Sequence, residues 1–235
     1  MSRTPAAALF DHAASTPEDP WLFRRVGWYW RWLSFRAAAE QVRAPAGSPM
    51  ADLSFEAILA DLALQAAGQT VTVRGSGDQT LALTAADLAQ AAEALSRELP
   101  ERLEREILVL GGSPDDPATR ALLSWATVAG AALLLEHDPG SVLGSAVWAR
   151  PTLFAGAAEE IAGLRRAAER QEGGWLRRLR KQPRQPFSRL HTVFSTDLPL
   201  PAEEEIFWRE RGVKVRFLPQ CGIDWYIRPR GDRDA

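Results

Sequence analysis

Thr70-Val-Thr-Val-Arg-Gly-Ser-Gly-Asp-Gln-Thr-Leu-Ala-Leu-Thr-Ala-Ala-Asp-Leu88 decides how the rest of the chain is read. It opens as a β-strand, passes through a glycine-bearing loop and ends on Leu83-Thr84, which starts a helix. A loop of this kind after a strand is where α/β proteins hold phosphate, because free backbone N–H groups converge there. The candidate ligand groups are Arg74, Gly75, Ser76, Gly77 and Thr84, with Arg74 as the cation. Two features oppose that use. The loop has no lysine, and Asp78 puts negative charge where a phosphate would sit. At about 4 Å such repulsion is worth roughly 1 to 4 kcal/mol, depending on the local dielectric.

Outward from this stretch, strands and helices alternate. Strands are expected at 70–73, 106–110, 131–135, 152–154, 190–194 and 213–218. Helices are expected at 85–99, 118–129, 142–149, 157–170 and 202–211. The strands are short and apolar without alternation, the pattern of a sheet covered on both faces. Repeated βαβ units of this length give a mostly parallel, doubly wound sheet flanked by helices. Upstream, a helix from Pro5 ends at Ser15-Thr-Pro-Glu-Asp-Pro20. Two aromatic antiparallel strands follow between Trp21 and Leu33, then a helix capped by Ser34, and after a loop at 44–49 a helical stripe (Ile58, Leu59, Leu62) that stops at Gly68. This divides the chain into a helical and aromatic-hairpin segment, 1–68, a parallel α/β segment, 69–227, and a tail, 228–235.

Composition narrows the function. The 235 residues carry a formal net charge of −2, which argues against a general nucleic-acid or membrane-surface binder. No apolar run is long enough to span a bilayer, no leader pattern is read at the N-terminus, and a cytoplasmic location is the expectation. The one cysteine, Cys221, rules out an internal disulfide framework, and His12, His137 and His191 are too scattered to suggest a metal site. Ser76 lacks the flanking glycines of a nucleophile elbow, so no catalytic residue is assigned. A basic segment from Arg165 to Arg189, with Trp175, Leu176 and Leu179 interleaved, could dock a protein partner, or could be a solvated helix face. Trp28, Trp30 and Trp32 alternate onto one strand face, which reads as packing or a protein interface.

The order of these signals resembles the AMP-dependent synthetase and ligase family, the adenylate-forming superfamily that includes acyl-CoA synthetases. Leu9-Phe-Asp-His-Ala-Ala-Ser-Thr-Pro is similar to its opening helix and turn, and the aromatic hairpin ending Trp32-Leu-Ser-Phe to its next segment. Thr70–Leu88 resembles its phosphate-binding signature, with Leu83-Thr84-Ala85 standing for Leu-Thr-His and Gln79 at the lysine position. Arg211-Gly-Val-Lys-Val-Arg-Phe-Leu-Pro-Gln-Cys-Gly-Ile-Asp224 resembles its tyrosine-glycine motif, with Gly222 retained and Asp224 near the glutamate position.

The resemblance implies a shortened adenylate-forming N-terminal domain. It implies ATP or AMP and magnesium as cofactors, an acyl or adenylate small molecule as ligand, and Gly222 and Asp224 added to the binding set. The family's ribose-binding aspartate, hinge and C-terminal domain with its catalytic lysine have no counterpart in these residues. The expectation is therefore a degenerate relative unable to complete adenylation alone, a pseudoenzyme with a residual acyl or nucleotide-like binding role. The alternatives are an active acyl-adenylate-forming ligase completed by a separate C-terminal partner, and a structural subunit.

Overall fold

A computed structural model describes residues 3–26, 29–43, 54–74, 80–99, 105–111, 116–136, 139–173 and 187–218. In chain order the elements are α1 (Pro5–Ser15), β1 (Pro20–Val26), β2 (Tyr29–Ser34), α2 (Phe35–Val42), α3 (Phe55–Ala66), β3 (Val71–Arg74), β4 (Thr80–Leu83), α4 (Ala85–Glu98) and β5 (Ile107–Leu110). There follow α5 (Pro117–Ala129), β6 (Ala132–Leu135), α6 (Pro139–Ala149), β7 (Leu153–Gly156), α7 (Ala158–Gly173), β8 (Thr192–Ser195), α8 (Ala202–Glu210) and β9 (Lys214–Phe217).

Local chemistry accounts for the helix boundaries. Ser34, Ser54 and Thr84 each accept a backbone N–H three residues on, leaving the extended region just as α2, α3 and α4 begin. Asp116 does the same for α5, with Pro117 in its first turn where the missing N–H costs nothing. Gly130 ends α5 in the left-handed region at φ 67°, a conformation that a side chain would strain.

Among the described residues the main sheet has seven strands in the order β2-β1-β6-β5-β7-β8-β9. Of these only β1 and β2 pair antiparallel, as an aromatic hairpin in which Phe23 faces Trp32 and Arg25 faces Trp30. The hairpin joins the sheet through β1, which lies parallel to β6 (Leu22 opposite Leu133). The chain thus moves from β5 out to β6, then crosses back over to β7 on the other side of β5. Right-handed crossovers running in opposite directions put their helices on opposite faces. Accordingly α5 packs with α1–α4 on one face, and α6, α7 and α8 cover the other.

Alternate residues of each strand feed the two cores. Leu108, Leu110, Leu133, Leu135, Leu153, Ala155 and Phe194 join the first, with Leu9, Phe35, Ile58, Leu62, Leu95 and Leu122. Val109, Leu134, Phe154 and Val193 join the second, with Ile161, Leu164, Phe207 and Trp208. That is why these strands read as unbroken apolar runs. The first core draws on segments 1–68 and 69–227 alike.

One local expectation is corrected. Thr80–Leu83 is a strand, not loop, and it pairs antiparallel with β3 in a separate two-stranded sheet (Val71 opposite Leu83, Arg74 opposite Thr80). The stretch from Thr70 is therefore a β-hairpin outside the parallel sheet. Its own pattern carries the reason: Val71 and Val73 are buried while Thr72 and Arg74 are exposed, the period-two signature of a strand with one covered face. The hairpin packs through Val73, Leu81 and Leu83 on Leu88 of α4.

Candidate functional site

In open α/β sheets ligands gather beyond the C-terminal ends of the strands, at the point where the winding direction reverses. Here that point lies between the ends of β5 and β7, and the groups that occupy it are carboxylates. Glu160, in the first turn of α7, turns back so that Oε2 accepts the N–H of Ala157 at 2.8 Å. The same oxygen lies against both neighbouring strand ends. A Cβ added at Gly111 would come within 2.9 Å of it, and one at Gly156 within 2.5 Å. Gly111 directly follows β5 and Gly156 ends β7, and the two glycines are what let the carboxylate enter.

Asp197, just past β8, completes the cover of the α7 N-terminus: its Oδ1 accepts from Ala158 N and Leu198 N, at 2.8 and 2.7 Å. At the start of α5, Asp116 Oδ2 accepts from Thr119 N at 3.2 Å and from the Thr119 hydroxyl at 3.1 Å. Glu136 follows β6 and accepts from the Ser145 hydroxyl at 3.2 Å. A helix N-terminus carries unsatisfied N–H groups and a positive partial charge, which is what makes it a phosphate site. At α5 and α7 those groups are already matched to the chain's own carboxylates.

The expected site residues fall into separate places. Arg74 is exposed at the end of β3, on the small hairpin. Thr84 is the N-cap of α4, its hydroxyl donating to Asp87 Oδ2 at 2.7 Å and accepting Asp87 N–H at 3.2 Å. Gly75, Ser76, Gly77, Asp78, Gln79, Cys221, Gly222 and Asp224 lie outside the described residues, as do His137, Trp28 and positions 174–186 of the basic segment. Of that segment's described arginines, Arg165 Nε meets Glu204 Oε1 at 2.8 Å, and Arg166 meets Glu159 at 2.7 Å. Trp30 packs against the second core, whereas Trp32 is half exposed.

Glu160, Asp197 and Asp116 were missed as a group by sequence reasoning. Asp116-Pro117 and Glu159-Glu160 are legible as helix starts, but nothing local says that two of those starts meet one sheet edge. At the opposite edge, His191 Nε2 lies 3.2 Å from Glu106 Oε2, and Nδ1 lies 2.9 Å from the Thr192 hydroxyl. Thr192 is itself buried, so this carboxylate–imidazole–hydroxyl order ties β5 to β8 and offers no nucleophile.

A magnesium–triphosphate group does not fit the described C-terminal edge. Its helix termini face carboxylates, and each carboxylate there is committed to backbone or hydroxyl donors. Among the described residues no group of metal-ligating side chains comes together. Nor is any described helix long and apolar enough to cross a membrane.

No family model matches the chain, and no curated protein does. Solved structures do share its fold. The N-terminal domain of FACL13 from Mycobacterium tuberculosis superposes with a TM-score of 0.69 at 10% identity, over 93% of this chain and 77% of that one. The nonribosomal peptide synthetase FmoA3, in its AMPPNP-bound form, gives 0.71 at 11% identity, over 91% of this chain and 31% of that one. The o-succinylbenzoate CoA synthetase MenE from Bacillus subtilis gives 0.68 at 11% identity, over 92% of this chain and 59% of that one. The chain thus spans under a third of the synthetase and about three-fifths of MenE. Its mostly parallel seven-stranded sheet, flanked by helices, is the fold it shares with the N-terminal domain of FACL13 and with MenE.

Proposed function

We propose that this chain uses the adenylate-forming fold as a binding module and does not carry out adenylation by itself. One observation carries the reading: Glu160 fills the crevice between β5 and β7 and, with Asp197, occupies the α7 N-terminus. A triphosphate approaching that edge meets fixed negative charge where the reaction needs cations. Each carboxylate at about 4 Å opposes a phosphate by roughly 1 to 4 kcal/mol.

The ligand class in keeping with this edge is an acyl or adenylate-like molecule without a polyphosphate. Gly222 and Asp224 come after β9 in sequence, and we assign them to that ligand. We assign Arg74, Gly75, Ser76, Gly77 and Thr84 to a second, anion-facing group, and ATP or AMP and magnesium are not required by the reading. We also place its action in the cytoplasm and assign the Arg165–Arg189 face to a protein partner.

Thermal-shift titration tests this directly. The expected result is stabilisation by non-hydrolysable acyl-adenylate analogues and none by ATP–Mg²⁺. Ligand at about 100 times its dissociation constant adds roughly 2.7 kcal/mol, a shift easily read. Stabilisation by ATP–Mg²⁺ together with pyrophosphate release from the isolated chain would overturn the proposal.

A further inference from the structure

Helix α8 sits on the second core through Phe207 and Trp208. The buried side of the helix also carries Glu204, one turn before Trp208, with 3% of its side chain exposed. Among the described residues, two polar atoms there have no hydrogen-bond partner, Glu204 Oε2 and the Trp208 indole Nε1. An ionised carboxylate that leaves water needs donors on both oxygens, whereas a neutral carboxyl needs far less. Glu204 meets one cation, Arg165 of α7, whose Nε lies 2.8 Å from Oε1.

That cation is shared. Arg165 also meets Glu169 of its own helix at 3.5 Å and Glu203 at 3.7 Å, while Arg166 is taken by Glu159 at 2.7 Å. Two guanidiniums thus face four carboxylates where α7 meets α8, and of the four only Glu204 is buried. β9 also packs against α8, but its cations Lys214 and Arg216 alternate with the inward Val215 and lie on the other side of the strand. Arg189, ahead of β8, is engaged in a contact of its own. Burial therefore outweighs the pull of Arg165, Glu203 adds to it, and the carboxyl keeps its proton above the ordinary value of 4.5.

We propose that Glu204 is a proton-operated latch between α7 and α8. Protonated, it lets α8 seat on the second core. When the proton leaves for solvent, the carboxylate draws toward water, and the helix loosens and uncovers Phe207 and Trp208. Arg165 tempers that opening by holding part of the charge in place.

Hydrogen exchange on the full chain tests the latch, read as protection factors for the amides of α8 and, for reference, of α4 on the first face. Protection of α8 is expected to fall from pH 4.5 toward neutrality, by at most about tenfold per pH unit, the slope set by one proton. It is also expected to lie below that of α4 and to respond less to low urea, the mark of a helix that opens ahead of the whole molecule. Glu204→Gln cannot ionise and is expected to abolish the fall. Arg165→Gln removes the tempering cation, so α8 should be less protected at neutral pH than in the native chain, and adding Glu204→Gln should restore it. A merely structural arginine would leave the double variant as loose as the single one. That result would overturn the proposal, as would α8 protection that is flat or rises across the window, or a fall that survives Glu204→Gln. Protection equal to that of α4 with the same urea dependence would overturn it too, since α8 would then open only with the rest of the chain.

Discussion

The two faces of the sheet bury charge in different ways, and depth of cover is what separates them. On the first face α5 lies on the strands while α1, α3 and α4 pack in turn on one another and on α5. Beneath that double cover Asp61 of α3 and Arg120 of α5 form an ion pair with each side chain 1% exposed, and Gln65 Nε2 donates to Asp61 Oδ2 at 2.9 Å. On the second face α7 and α8 form a thinner layer. There Arg165 bridges to Glu204 at 2.8 Å but keeps 21% of its side chain exposed, and its guanidinium lies over the Phe207 ring. One pair is sealed from water and the other is vented. Their contributions to stability should therefore differ in size and in pH dependence.

The sharpest test of that contrast is Asp61→Ala. It removes the Asp61 carboxylate from a buried guanidinium, and the loss should be about 3 to 5 kcal/mol by denaturant titration. Replacing both partners, Asp61→Leu with Arg120→Met, should recover most of that loss. The desolvation penalty then disappears along with the attraction. If the single and double variants are equally unstable, the pair is not as dry as its burial indicates, and the comparison with the second face fails.

A smaller effect tests whether the helix starts on both faces are equivalent. Thr84→Ala removes the cap of α4 on the first face, and Asp197→Ala uncovers the α7 N-terminus on the second. Each should cost about 1 kcal/mol. Asp197→Ala also removes a carboxylate from the crevice edge, so anion affinity there should rise only in that variant. Isothermal titration with inorganic pyrophosphate reads this, and equal affinity in the two variants would detach Asp197 from the site.

What the sequence disclosed follows the range of the interaction responsible. Ile-Leu-Val-Leu at β5, Ala-Leu-Leu-Leu at β6 and Thr-Val-Phe-Ser at β8 are strands on local evidence, and Ser34 and Thr84 mark helix starts by capping chemistry alone. The β3–β4 hairpin was misread because Leu83-Thr84 carries a strand end and a helix cap within two residues. Only pairing with Val71 reveals the strand. The crevice was illegible for a longer-range reason. Glu160 meets Gly111 because β7 crosses back beside β5, and strand order is not written in either segment. The wide spacing of Asp61 and Arg120 hides their pairing in the same way.

The least effect expected is also the most diagnostic of the vented face. Burial pushes the Glu204 carboxyl above its ordinary value of 4.5, Arg165 pulls it back by a smaller amount, and neighbouring Glu203 pushes it up again. The folded state therefore holds this proton more tightly than the unfolded chain does. The associated stability is fully present below pH 4.5 and is lost as pH rises through the elevated folded value. Measured against Glu204→Gln, which cannot titrate, the native chain should lose ground from pH 4.5 toward neutrality, as read from urea midpoints across that window. The opposite slope would mean that Arg165 outweighs desolvation, making the second face as effective a host for charge as the first. A flat difference would place Glu204 in water. Either result would remove depth of cover as the reason the two faces differ.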